Sequence, residues 1–149
     1  MKPLLLLTDF SETGNRAVEH GYQLAKNLKT NVTLCNAIDM VETANMLWPA
    51  DAFDTLIADS GKELKKLIKY LEETDSNEGF HPQISYQSKL GRLVDVVESL
   101  RKKEDFYMII IGVHRKSFAR FLLENHCKSM MDNLTCPLLI VPPNAVLEN

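Results

Sequence analysis

Two hydrophobic patterns alternate along the chain. Mainly apolar runs occupy residues 3–8, 32–38, 106–111 and 136–141, each bounded by polar residues, glycine or proline. Runs of this length predict strands covered on both faces, the habit of parallel sheets packed between helices. Residues 82–90 differ, because Ile84, Tyr86, Ser88 and Leu90 alternate with polar neighbours. That spacing predicts a half-buried outer strand. Between the runs the period changes. Ala17, Gly21, Leu24, Ala25 and Leu28 follow a plausible N-cap at Ser11, with Glu12 in the first turn. Most of these are small, so this helix can lie close on the sheet. Phe53, Leu56, Ile57, Leu64, Leu67, Ile68 and Leu71 mark an amphipathic helix over residues 51–73, whose Lys62, Lys65, Lys66, Lys69, Glu72 and Glu73 form a solvated face. Leu93, Val94, Val97 and Leu100 mark a shorter helix that ends in Arg101, Lys102 and Lys103, where cations suit the dipole. Phe118, Phe121, Leu122, Met130, Met131 and Leu134 outline a last one, and residues 40–49, with Trp48, read as a loop. Strands and helical patterns alternate five times. The economical fold is a single doubly wound α/β domain over residues 1–149, a parallel five-stranded sheet flanked by helices through right-handed crossovers.

Composition narrows the classes without changing that picture. A chain of 149 residues with 45% hydrophobic and 25% charged residues suits one globular core. No apolar segment approaches the ~20 residues of a membrane span. The first apolar run is too short for a signal-peptide core, which predicts a cytoplasmic protein. Cys35, Cys127 and Cys136 are far apart and form no C-x-x-C pair, so they predict buried thiols rather than disulfides or zinc ligands. A formal net charge of -3 argues against general nucleic-acid binding. One basic loop stands out: Ile111-Gly112-Val113-His114-Arg115-Lys116 leaves a strand at a glycine and turns positive. In doubly wound sheets, ligands sit at such carboxyl ends of strands.

Three motifs in order give the chain a family resemblance. Asp9-Phe10-Ser11-Glu12-Thr13-Gly14 follows the first strand, Ile109-Ile110-Ile111-Gly112 closes the fourth, and Cys136-Pro137-Leu138-Leu139-Ile140-Val141 forms the last. In this order the chain resembles the universal stress protein family over nearly its whole length. The resemblance implies a Rossmann-like sheet of order 3-2-1-4-5, a cytoplasmic stress-response regulatory role with unnamed protein partners, and a homodimer paired through the last strand at residues 137–142. Unpaired edge groups invite such pairing, and Pro142 with Pro143 would stop it from extending.

Family members that bind ATP show G-x-x-G, nine residues, then G-S/T. Glycines let backbone approach phosphate, and a helix N-terminus supplies N–H donors. Here Gly112 fills the first position, Arg115 replaces the second glycine, and the final pair falls on Asn125-His126 or, with one deletion, on Glu124-Asn125. The resemblance thus implies an ATP site, with Mg, that is degenerate, and site residues Thr8, Asp9, Ile38, Gly112, His114, Arg115, Asn125 and His126. Asp9 would hold base and ribose. Arg115 either blocks the backbone approach or substitutes a guanidinium for the lost N–H contacts. The residues supply no nucleophile with an adjacent base and no metal-ligand cluster, so a dedicated enzyme is not expected. A second reading is a flavodoxin-like electron carrier, since Ser11-Glu12-Thr13-Gly14-Asn15 resembles an FMN phosphate loop. A third is a regulatory dimer that binds no nucleotide.

Overall fold

The computed structural model describes residues 1–39, 50–114, 116, 119 and 137–141. They form β1 (Leu4–Thr8), α1 (Glu12–Leu28), β2 (Val32–Ile38), α2 (Ala50–Thr74), β3 (Ile84–Leu90), α3 (Leu93–Lys103), β4 (Met108–Gly112) and β5 (Leu138–Val141). All five strands join one parallel sheet in the order β3-β2-β1-β4-β5. The expected elements are therefore present within a residue or two, and the order implied by the resemblance is the order found. The last predicted helix, the loop carrying Trp48, and Cys127 and Cys136 lie outside the described residues.

β1 explains its own sequence. It sits in the middle of the sheet, with Leu4 pairing Val32 on one side and Met108 on the other. Leu4 and Leu6 enter a core formed with Val18, Tyr22 and Ala25 of α1 and Leu64, Leu67 and Leu71 of α2. Leu5 and Leu7 face the opposite core, with Val96, Val97 and Leu100 of α3. Both faces need apolar side chains, so alternation disappears. The small residues of α1 let it approach closely. A Cβ on Gly21 would lie 2.3 Å from Leu6 Cδ2. β3, at the sheet edge, does not show the half-buried alternation expected: of its apolar residues only Ile84 packs against the core, while the polar Gln87 and Lys89 are half-buried. Tyr86 and Leu90 stay 41% and 39% exposed, because no further strand covers that side among the described residues. Cys35 is the expected buried thiol, pushed up to about 12 by burial, with Lys89 opposing the shift.

The long connection from α2 to β3 is clamped to α1 by a polar cluster. Asp75, with a side chain only 3% exposed, pairs with Lys26 Nζ and accepts the Tyr22 hydroxyl at 2.7 Å, and His81 Nδ1 lies 2.9 Å away. Lys26 first, and then His81, hold the Asp75 carboxyl well below the usual carboxylate range. Burial first, and then the bond to Asp75, push the Tyr22 phenol up. A carboxyl lowered on folding stabilises above its unfolded value, near 3.9, and that contribution is lost as pH falls toward the folded value. Asp75→Asn is accordingly expected to lower Tm at neutral pH and to differ less from the parent near pH 3. Thermal melts at both pH values check this, and an equal deficit at both would rule out the ionic origin.

Candidate functional site

The sheet order reverses between β1 and β4, and the crevice of a doubly wound sheet opens at the carboxyl ends of those strands. Thr8 and Gly112 are paired neighbours there. Beyond Thr8 the chain turns sharply, with Phe10 in the left-handed region at φ 66° and its amide donating to Thr8 Oγ1 at 3.0 Å. That turn curls the Asp9 carboxylate back over the start of α1. Asp9 Oδ1 accepts both the Ser11 amide at 3.0 Å and the Ser11 hydroxyl at 2.5 Å. Ser11 is the N-cap expected, its Oγ accepting the Gly14 amide at 3.1 Å. The other oxygen of Asp9 reaches across the crevice. Asp9 Oδ2 accepts the His114 backbone amide at 2.8 Å, and His114 Nε2 lies 3.7 Å from it. One carboxylate therefore joins the loops after β1 and β4, beside the positive end of α1.

Two glycines make this closeness possible. A Cβ on Gly14 would lie 2.5 Å from Thr8 Oγ1 and 2.8 Å from both Asp9 Oδ1 and the Gly112 carbonyl. A Cβ on Gly112 would lie 2.4 Å from Ala17 Cβ and 3.0 Å from Gly14 Cα and the Thr13 carbonyl. Gly112 was expected to open a backbone approach to phosphate. The packing of α1 demands a glycine there in any case. Gly14 was not among the expected site residues, although its place in the first motif was a signal.

Thr8, Asp9, Gly112 and His114 thus come together. Ile38 ends the neighbouring β2 with a half-buried side chain, and its carbonyl accepts the Gly91 amide at 2.9 Å. Arg115, Asn125 and His126 lie outside the described residues. Asn36, which the sequence reading passed over, supports the site from below. Its Nδ2 donates to the Thr8 carbonyl at 2.8 Å, its Oδ1 accepts Ser60 Oγ at 2.8 Å, and Ser60 contacts Ser88 Oγ at 2.5 Å. An asparagine in an otherwise apolar strand was the available signal, since a buried amide must be satisfied. The stretch from Ser11 to Asn15 is a helix cap: Ser11 Oγ already serves Gly14 and Asp9, and the Asn15 amide donates to the Ser11 carbonyl.

Two hollows flank the crevice or oppose it. A groove of about 350 Å3 opens beside Phe10, between Asn15 and Glu19 of α1 and Glu63, Lys66, Leu67 and Tyr70 of α2. A cavity of about 360 Å3 at the opposite, amino-terminal ends of the strands is lined by Asn31, Gln83 and Glu104 among others. The described residues hold no group of three or more His, Cys, Asp or Glu placed for a metal ion. No helix among them is long and apolar enough to cross a membrane.

A sequence model of the universal stress protein family matches residues 1–142. The chain belongs to the universal stress protein family. Solved structures agree on the fold. A family protein from Burkholderia pseudomallei is 16% identical with a TM-score of 0.62, covering 95% of this chain and 96% of its own. The hypothetical protein MJ0577 is 24% identical with a TM-score of 0.68, covering 97% of both chains. A universal stress protein in complex with cAMP is 18% identical with a TM-score of 0.56, covering 94% of this chain and 95% of its own. No curated protein matches.

The crevice geometry carries a direct consequence. Gly14→Ala forces a methyl group into Thr8, Asp9 and the β4 backbone, and overpacking of this kind costs about 1–3 kcal/mol. Urea denaturation measures it, and an unchanged midpoint would show that α1 is not held as closely as described.

Proposed function

We propose that this chain is a regulatory binding protein that takes an adenine nucleotide in the crevice between the ends of β1 and β4. The base and ribose lie toward Asp9 and Ile38, and the phosphates, with Mg, toward the loop after Gly112. The observation that carries the reading is the Asp9 carboxylate, which joins Ser11 to the His114 amide at the switch point of the sheet. It supplies an acceptor for ribose or base beside a helix N-terminus. The family member in complex with cAMP supports a nucleotide as the ligand class. The site is altered from the family's glycine pattern at Arg115 and at Glu124 or Asn125, so affinity is weaker than in members that keep the glycines. The role is binding and signalling in the cytoplasm, not dedicated catalysis. A homodimer through β5, whose Leu139 is exposed at the sheet edge, belongs to the same proposal.

Calorimetric titration with ATP and Mg²⁺ tests the reading. Saturable binding is expected, and Asp9→Ala, assayed well below its Tm, is expected to weaken it at least about tenfold, near 1.4 kcal/mol. Silence up to millimolar nucleotide would favour the regulatory dimer without a ligand. Binding that Asp9→Ala leaves unchanged would move the base elsewhere. Arg115→Gly separates the two roles of that side chain: tighter binding marks a block, and weaker binding marks a phosphate ligand.

A further inference from the structure

The outer edge of β3 is a long, regular and weakly guarded strand. The Val32 amide donates to the Gln83 carbonyl at 3.0 Å, and the Gly91 amide to the Ile38 carbonyl at 2.9 Å. With Val32 paired to Ile84 and Ile38 to Leu90, the parallel ladder turns the backbone groups of Ser85, Gln87 and Lys89 toward β2. Those of Ile84, Tyr86, Ser88 and Leu90 point away from the sheet, and no strand among the described residues pairs with them. Folded proteins blunt such edges with proline, bulges or several charges. Within β3 there is one lysine and no proline.

Side chains above this edge are apolar and open. Ile57 of α2 is 38% exposed, close in value to Tyr86 and Leu90. Gly61 lies one turn from Ile57 and one turn from Lys65, whose Nζ sits over the Tyr86 ring at 6.0 Å. This ridge of α2 therefore overlooks the β3 edge, while Glu63, Lys66 and Tyr70 face the groove toward α1. Glycine inside a helix is destabilising relative to alanine. Among the described residues nothing lies within 4 Å of where a Gly61 Cβ would stand, so their packing gives no reason for it.

We infer that β3 pairs antiparallel with β3 of a second copy of this chain, about a two-fold axis through Gln87, with the two α2 helices meeting near Gly61. The register is self-complementary. It sets Ile84 opposite Leu90 and Tyr86 opposite Ser88 on the α2 face, all of them residues with outward backbone groups, as hydrogen-bonded antiparallel pairs require. On the other face Ser85 meets Lys89 and Gln87 meets itself, so the lysines never oppose each other. Ser60 contacts Ser88 and Lys65 lies over Tyr86, so the axis through Gln87 passes α2 between them, beside Gly61. A two-fold interface pairs the β3 edges of both copies at once. This contact is independent of the nucleotide site and of the β5 edge.

The test isolates this edge by disabling the other. In a Leu139→Glu background, light scattering across a concentration series is expected to show twice the mass of one chain, and adding Gly61→Glu is expected to halve it. The open space at Gly61 means that this variant folds, which its melting curve verifies. Amide exchange gives a second readout: the Tyr86 and Ser88 amides are expected to be protected in the dimer and to exchange at least tenfold faster after Gly61→Glu. A chain that stays monomeric throughout, a dimer that survives Gly61→Glu, or fast exchange at both amides in the parent would each overturn the inference.

Discussion

Everything at the candidate site depends on how closely the N-terminus of α1 sits against the end of β4. Gly14 and Gly112 leave no room for a methyl group between them, and Ala17 closes the same contact. That proximity puts the Asp9 carboxylate within reach of two loops from distant parts of the chain. One oxygen takes the Ser11 donors at the helix cap, and the other takes the His114 amide. A bulkier residue at either glycine would part the loops and leave Asp9 with only its local partners.

The support beneath this contact is polar and buried. Asn36 holds the Thr8 carbonyl, and Ser60 and Ser88 continue the connection to α2 and β3. Inside a low-dielectric core a satisfied network of this kind fixes geometry, because each unmade bond carries a desolvation penalty of about 1–3 kcal/mol. The position of Thr8, and with it the turn that aims Asp9, is thereby coupled to three strands and a helix. At the far end of α1, the cluster of Tyr22, Lys26, Asp75 and His81 performs a comparable task for the α2–β3 connection. α1 is thus held at both ends, by backbone closeness at one and by charge at the other.

The fold was legible because its signals are local. Four leucines in a row, bounded by proline and a polar turn, suit a strand covered on both faces, and the small residues of α1 announced a close approach that Gly21 and Leu6 confirm. Ser11 as N-cap followed from residue type and position. What the sequence withheld depends on residues far apart meeting in space. Nothing local to Asn36 names Ser60, nothing near Asp75 names Lys26, and Asp9 gives no hint of the His114 amide. Gly112 shows a second constraint. Its presence invited a reading about phosphate, and its neighbours Ala17 and Gly14 also require a glycine there on packing grounds.

Chemical-shift mapping of the amides during a titration with ATP and Mg²⁺ tests the central claim most directly, that the crevice closed by Asp9 is where a nucleotide lies. The account predicts saturable shifts at Asp9, Gly112 and His114, with Asn31 and Gln83 at the opposite ends of the strands unmoved. Shifts centred on Asn31 and Gln83, or none at His114 when binding is complete, would contradict it.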